Sequence, residues 1–434
     1  MGHLNAVLAA SNTEDQTFFF GVGDHGGGIY EKQLNWLLEL EDQYELVFST
    51  LEDYFAIMAK EDLPILEGEH VHHAPGCYSA NSAIKHWMSD TEKNFYKAEK
   101  ITLQGNWHDR QKNIAALNNA WGEFLFNYFH DIYPGTSIRS AYEHEIRDIN
   151  GYANHQATTI LEQGLSRIGA TINTDFLTEG GVMLWNSLSV PVMGKGSYDT
   201  FSDPNYSGSR FNCLIDGEGN RIPLQWINAE SGLNIFNCWG KAVFTSPMKA
   251  SQAKAFAFGR TDEFDAEKVG YDRQKKLLER IRFQVLDDLG DTWAHGVKEL
   301  GPTLGDARLV DVKELDNGPV VSLIHAFYEW KNSKFELKLY AWKDIEEIEA
   351  EFIADWQERK ETLKICLETG VADAPVLSGQ MASSIRRKPD ICEQPFIDFV
   401  SVDGNGFMAE YFHSYDSIGS GELRLTLIRP IVYT

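Results

Sequence analysis

Cysteine is scarce and unpatterned in this sequence. The five cysteines, Cys77, Cys213, Cys238, Cys366 and Cys392, show no Cys-x-x-Cys spacing. An odd, scattered set of this kind reads as reduced thiols of a cytoplasmic protein. No run of about 18 apolar residues occurs, so no helix is expected to span a bilayer. The opening MGHLNAVLAASNTED lacks a basic region before its short apolar run, so it does not read as a signal peptide. Positive charge is also short: 39 Lys and Arg stand against 64 Asp and Glu, a formal net charge of -25. Such a surface repels phosphate backbones and anionic membranes. Nucleic acid and lipid are therefore poor partners, and a neutral, hydroxyl-rich ligand such as a sugar is compatible.

Apolar residues are plentiful. Of 434 residues, 43% are hydrophobic, including 11 Trp, 17 Tyr and 25 Phe. A chain this long exceeds one ordinary core and implies two or three domains. Its pattern changes twice, giving an expected division into residues 1–65, 66–170 and 171–434. The expected fold class is α/β plus all-α plus all-β. In the first part, Thr17 to Phe20 and Tyr44 to Thr50 read as strands, and Glu31 to Gln43 and Leu51 to Lys60 as helices, a βαβα run. From Asn81 to Ile168 the pattern is helical. Trp107, Ile114, Leu117, Trp121, Phe124 and Tyr128 fall on one stripe, and Pro134-Gly135 stops that helix. Ser140 with Glu143 has capping-box spacing for the next helix, whose stripe is Tyr142, Ile146, Ile149, Ala153 and Ile160. Three helices of this kind predict a bundle. Beyond Thr171, β-branched and aromatic runs separated by turn residues predict an all-β region, broken by one helix at Tyr271 to Arg282. Gly194 to Gly208 reads as a polar loop.

Four stretches carry candidate chemistry. TFFFGVGDHGGG, residues 17–28, contains a Gly-x-Gly-x-x-Gly at Gly21, Gly23 and Gly26 after an expected strand and before a helix, as in a dinucleotide-binding loop. Asp24 argues against that reading, because a carboxylate at a helix N-terminus opposes a pyrophosphate. The same glycines let backbone pass close to a neutral ligand while Asp24 points into a cleft, where a raised pKa suits an acid. A turn with a capping aspartate remains a third reading. FNYFHDIYPGTS places His130 and Asp131 at a helix end. These are types that bind zinc, although a histidine there also suits the helix dipole. His70, His72 and His73 read as an exposed loop. DDLGDTWAHG, with Asp287, Asp288, Asp291 and His295, reads as an acidic structural turn between strands, since no complete calcium loop is present.

Taken in order, these stretches resemble glycoside hydrolase family 38, the α-mannosidases. Bacterial members carry GVGDHGGG, GCYS, FNQFHDILPGTS, GDTW, DW-x-E, EQP and LRLTLLR. The matching positions here are Gly21 to Gly28, Gly76 to Ser79, Phe126 to Ser137, Gly290 to Trp293, Asp355 to Glu358, Glu393 to Pro395 and Leu423 to Arg429. The resemblance implies an α/β catalytic domain represented by its tail, a three-helix bundle and an incomplete β-sandwich region. It implies hydrolysis of terminal α-linked mannose with retention, a zinc cofactor that orients the sugar, and a mannose-containing partner. It further implies that His130 is a zinc ligand, that Asp131 hydrogen-bonds the sugar and that Asp24 is the acid/base. His25 and Tyr78 fall near the implied pocket.

The departures matter as much. The family's His-x-Asp motif and its nucleophilic aspartate have no counterpart, since His3-Leu4-Asn5 lacks the carboxylate. One zinc ligand of four remains. Ile29-Tyr30 replaces Pro-Thr, and Tyr128 and Tyr133 replace Gln and Leu. The chain therefore reads as an internal piece of a mannosidase, inactive alone. It is expected to self-associate, or to need a separate N-terminal half. A glycan- or partner-binding remnant and a nicotinamide-dependent oxidoreductase are the competing functions.

Overall fold

Helical spacing in residues 31–58 produces helices α1 (Glu31–Glu39) and α2 (Leu51–Met58). The Thr50 side chain caps α2 by accepting from the Asp53 amide at 3.2 Å, which satisfies one orphan donor of the first turn. The computed structural model describes residues 6–9, 16–21, 28–59, 65, 69, 73–104, 108–178, 180–202, 211–231, 238–261, 267–411 and 413–430. The chain divides into two units, residues 1–70 and 71–434. In the first, Leu37, Leu40 and Met58 are buried, whereas Phe19, Val47, Phe48, Phe55 and Ile65 are exposed. The expected strands at Thr17 to Phe20 and Tyr44 to Thr50 have no ladder among the described residues. Apolar alternation makes a strand only where a neighbour satisfies its backbone groups.

The second unit opens with α3 (Ser82–Leu103), α4 (Arg110–Leu125), a short α5 (Arg139–Glu143) and α6 (Glu145–Gly169). The three long helices enclose one core containing Met88, Phe95, Leu117, Phe124, Ala153 and Ile160. Phe95 stacks on Trp121 at 4.2 Å between centroids. The expected stripe of α4 is largely inward: Leu117 and Phe124 are buried, and Ile114 and Trp121 half-buried. It ends sooner than read, however. Residues Phe126–Tyr128 form a 3-10 turn, Tyr128 is exposed, and Trp107 lies outside the described residues. The Ser140–Glu143 capping box does not form. Both residues sit inside α5, and the Glu143 carboxylate accepts from Arg139 at 2.6 Å instead.

Strands fill the rest of the unit. In chain order they are β1 (Gly181–Trp185), β2 (Val192–Ser202), β3 (Cys213–Asp216), β4 (Arg221–Pro223), β5 (Gln225–Ser231), β6 (Cys238–Met248), β7 (Ala253–Gly259), β8 (Ile281–Asp287), β9 (Thr303–Asp306), β10 (Arg308–Asn317) and β11 (Val321–Trp330). They continue as β12 (Ser333–Trp342), β13 (Ile348–Asp355), β14 (Glu361–Glu368), β15 (Val376–Gln380), β16 (Ser383–Arg387), β17 (Gln394–Phe396), β18 (Phe399–Val402), β19 (Asn405–Met408), β20 (His413–Ile418) and β21 (Glu422–Ile428). Helix α7 (Asp272–Leu278) lies between β7 and β8, inside the helical segment read at Tyr271 to Arg282.

The sheets run β1-β7-β3-β4, β2-β6-β5, β10-β11-β12-β13, β17-β20-β21-β14-β8-β9 and β16-β15-β18-β19. The three C-terminal sheets share one apolar core, in which Phe283 of β8, Phe335 of β12, Val400 of β18 and Leu423 of β21 meet. Residues 194–202 are not the expected loop. They pair with β6, Val192 opposite Met248 through Ser202 opposite Cys238. Gly196 makes that pairing fit, since a Cβ there would fall 2.2 Å from the Phe244 ring opposite. Residues 203–210 lie outside the described residues.

Candidate functional site

The sequence FHDIYPGTS folds into a tight, internally bonded turn. The Gly135 amide donates to the Ile132 carbonyl at 3.0 Å, and Gly135 takes a φ of +92°, the left-handed region where glycine is least strained. A Cβ there would also meet the Ala80 carbonyl at 2.9 Å. The Thr136 hydroxyl donates to the Asp131 carbonyl at 3.2 Å. The Tyr142 hydroxyl donates to the Ile132 carbonyl at 2.8 Å and accepts from the Ser137 amide at 3.1 Å.

Beneath the turn lies Lys85 of α3, 1% exposed. Its ammonium donates to the carbonyls of Ala80, Tyr133 and Pro134 at 2.6, 3.1 and 3.2 Å. Three carbonyls match the three donors of a protonated amine. Burial opposes that charge and pushes the Lys85 pKa down to about 7. Burial likewise pushes the nearby Cys77 thiol up, against the charge of Lys85. That direction disfavours a reactive thiolate.

The result is a rigid platform with an exposed top. His130 Nε2 lies 3.5 Å from Asp131 Oδ2, with side chains 78% and 52% exposed. The Phe129 ring lies 4.2 Å from the His130 imidazole. Phe126, Phe129 and Ile138 add exposed apolar surface on the same turn and its flanks. Of the residues read as a site, the structure thus brings His130 and Asp131 together. Asp24, His25, Gly23 and Gly26 lie outside the described residues, as do His3, His70 and His72. Tyr78 is half-buried in a 3-10 turn, Pro75–Tyr78.

A profile of the alpha mannosidase middle domain matches residues 72–168. Residues 72–168 are thus similar to an alpha-mannosidase middle domain. The platform and the three long helices fall inside this stretch, apart from Gly169 at the end of α6. Two solved structures share the fold of the chain. One, from Enterococcus faecalis, is of a protein in glycosyl hydrolase family 38; the TM-score is 0.69 at 15% identity, covering 99% of this chain and 61% of that one. The other is an alpha-mannosidase from Enterococcus faecalis V583, with a TM-score of 0.69 at 14% identity, covering 94% of this chain and 59% of that one. This chain therefore spans about three fifths of the length of each. A search of the curated proteins finds no match.

Three of the other stretches behind the resemblance form a joint that seats the helical region on the sheets. Arg429, just past β21, is 5% exposed. It donates to Asp288 Oδ2 at 2.8 Å, to the Gly76 and Thr292 carbonyls at 3.0 and 2.9 Å, and to the Asp291 carbonyl at 2.6 Å. One guanidinium thus ties GCYS, GDTW and the end of LRLTLIR together. The Gly76 amide returns a bond to the Trp293 carbonyl at 3.0 Å. Gly76 has no room for a side chain, since a Cβ would fall 2.4 Å from Arg429 Nη1 and 2.6 Å from the Thr292 carbonyl. The acidic turn after β8 is structural, as read. His73, expected in an exposed loop, is exposed and meets it, with its ring 5.0 Å from His295.

A second knot lies in the six-stranded sheet. Lys364 bridges Glu393 and Asp416, the latter at 2.7 Å; Arg424 also donates to Asp416, and Thr426 to Glu393 at 3.1 Å. Two cations face two carboxylates, all 2% exposed or less. Asp355-Trp356-x-Glu358 closes a turn, where Glu358 accepts from the Asn332 amide at 2.9 Å.

Sequence reading missed Lys85 and Arg429. A lysine between Ile84 and Met88, on the apolar face of α3, was the available signal for the first. Among the described residues Cys77, Cys213, Cys366 and Cys392 are free thiols. No helix among them is long and apolar enough to cross a membrane.

Proposed function

We propose that this chain carries part of a retaining, zinc-assisted glycosidase that hydrolyses terminal α-linked mannose, built around His130 and Asp131. In this reading residues 1–65 belong to an α/β catalytic domain, 66–170 form a three-helix bundle and 171–434 a β-sandwich region of a cytoplasmic protein. The observation that carries it is the hydrogen-bonded turn that holds an imidazole and a carboxylate side by side, solvent-facing, within a region similar to a mannosidase middle domain. An imidazole is a suitable zinc donor, but it supplies one ligand of a four-ligand shell.

His130 is the zinc ligand in this proposal. Asp131 accepts a hydrogen bond from a ring hydroxyl and fixes the pyranose over the turn. The acid/base role is assigned to Asp24, and the carboxylate that would attack the anomeric carbon has no assigned residue in this sequence. The Phe129 ring lies beside the imidazole and offers it an apolar neighbour. Zinc, when bound, supplies a Lewis-acidic template for neighbouring sugar hydroxyls.

The 434 residues contain no His-x-Asp triplet. Weak zinc affinity at His130 and no turnover are therefore proposed for this chain alone. Incubation with an aryl α-mannoside and excess zinc tests it. No release is expected, and release abolished by His130→Ala would overturn the inactivity while supporting the chemistry. The same missing triplet favours a second reading, a non-catalytic glycan-binding chain. Mannose binding that is indifferent to zinc and to His130→Ala would select it.

A further inference from the structure

Helix α3 carries His86 and Asp90 one turn apart, so both project from one face. Glu410 reaches that face from the connection between β19 and β20. The ligand atoms of all three lie within 4.8 Å of one another. His86 Nε2 and Asp90 Oδ2 are 3.3 Å apart. Zinc bonds of about 2.0–2.1 Å in a tetrahedron set neighbouring ligand atoms about 3.3 Å apart. The pair already stands at that spacing, and the third ligand atom lies within 4.8 Å of both.

A helical ion pair explains two of these residues and leaves the third unexplained. Asp90 and Glu410 bring two carboxylates to the same imidazole, in a chain with a net charge of -25. The Lys93 ammonium offsets part of their mutual repulsion from the backbone side of Glu410, and a cation held between the ligand atoms would offset it directly. The cluster is nonetheless firmly built. The Glu410 carbonyl accepts from the Ser89 hydroxyl at 2.7 Å, across 321 residues of sequence, and from Lys93 of the same helix. The Tyr411 ring packs at 5.1 Å from His86. The backbone of Glu410 is thus pinned to α3 by contacts that do not involve its carboxylate. His86 and Asp90 are each 48% exposed, leaving an entry path and a fourth position for water.

We propose that His86, Asp90 and Glu410 bind a divalent cation of the zinc class, cross-linking the first middle-domain helix to the β19–β20 connection. One imidazole with two carboxylates suits zinc and its transition-metal neighbours better than the oxygen-seeking calcium and magnesium. Such a clip joins segments that are distant in sequence and stabilises the folded joint by mass action. It does not depend on the mannosidase reading.

Calorimetric titration of the EDTA-stripped full chain with zinc tests this, with magnesium and calcium as comparisons. Expected is one zinc bound in the low micromolar range, with affinity lost at least about tenfold in His86→Ala and in Glu410→Gln. Cobalt substitution should give a tetrahedral visible spectrum that both variants lose and His130→Ala keeps. These positions are exposed, so the variants are expected to fold. Zinc binding unchanged in His86→Ala and Glu410→Gln, binding lost only in His130→Ala, or no zinc binding by the native chain would each overturn the proposal.

Discussion

Replacing Arg429 by Met should loosen the joint between the middle domain and the sheets more than any exposed substitution. The guanidinium serves Asp288 and three carbonyls, and its side chain is 1% exposed. Met fills a similar volume but donates nothing. Asp288 would keep only the Thr362 hydroxyl at 3.2 Å and the Gly290 amide at 3.1 Å. Removing one partner of a buried ion pair costs about 3–5 kcal/mol, because the other charge stays buried. The three carbonyls add to that, offset where the turn opens to water. A loss of about 4 kcal/mol, roughly a thousandfold in the folding equilibrium, is expected. Urea unfolding followed by tryptophan fluorescence reads it, since Trp293 sits on the affected turn. Adding Asp288→Leu removes the orphaned charge and should recover about half the loss. A cost below about 1 kcal/mol for Arg429→Met would refute the reasoning.

Three further outcomes are expected. Lys364→Met leaves Glu393 and Asp416 buried together without their ammonium, and should destabilise by about 3–5 kcal/mol in the same unfolding assay. Burial holds the His413 imidazole down to about 4. The unfolded chain therefore takes up that proton first as pH falls. Stability from this group is complete above about 6.5 and drains by up to about 3 kcal/mol as pH falls toward 4. His413→Gln should flatten that part of the pH profile, and an unchanged slope would contradict it. The exposed Phe48 and Phe55 should make the chain self-associate in light scattering. Phe48→Ser with Phe55→Ser should reduce association, whereas a monodisperse native monomer at high concentration would exclude it.

Local periodicity made the helical part legible. The stripes on α4 and α6 face each other, so each supplies the other's apolar surroundings. It failed where a second segment decides the outcome. The polarity of Gly194 to Gly208 suggests a loop, yet residues 194–202 pair with β6, and Gly196 admits Phe244 from that strand. The apolar runs at 17–20 and 44–50 lack a ladder among the described residues, and sequence alternation does not report a missing neighbour. Ser140 and Glu143 have the spacing of a cap but lie within a helix, with Glu143 taken by Arg139. The adjacency of His130 and Asp131 was readable because both side chains come from one short turn. Lys85 and Arg429 were not, because they act on carbonyls up to 49 and 353 residues away.

The most direct test of the account observes the His130 imidazole itself. A chain labelled with nitrogen-15 in its histidines is titrated with zinc and a mannose-configured iminosugar, and its ring resonances are followed by NMR. The account predicts that the His130 ring nitrogen shifts when zinc and sugar mimic are present together, and that the shift disappears in His130→Ala. Saturation with both ligands while the His130 resonance stays in place would contradict it.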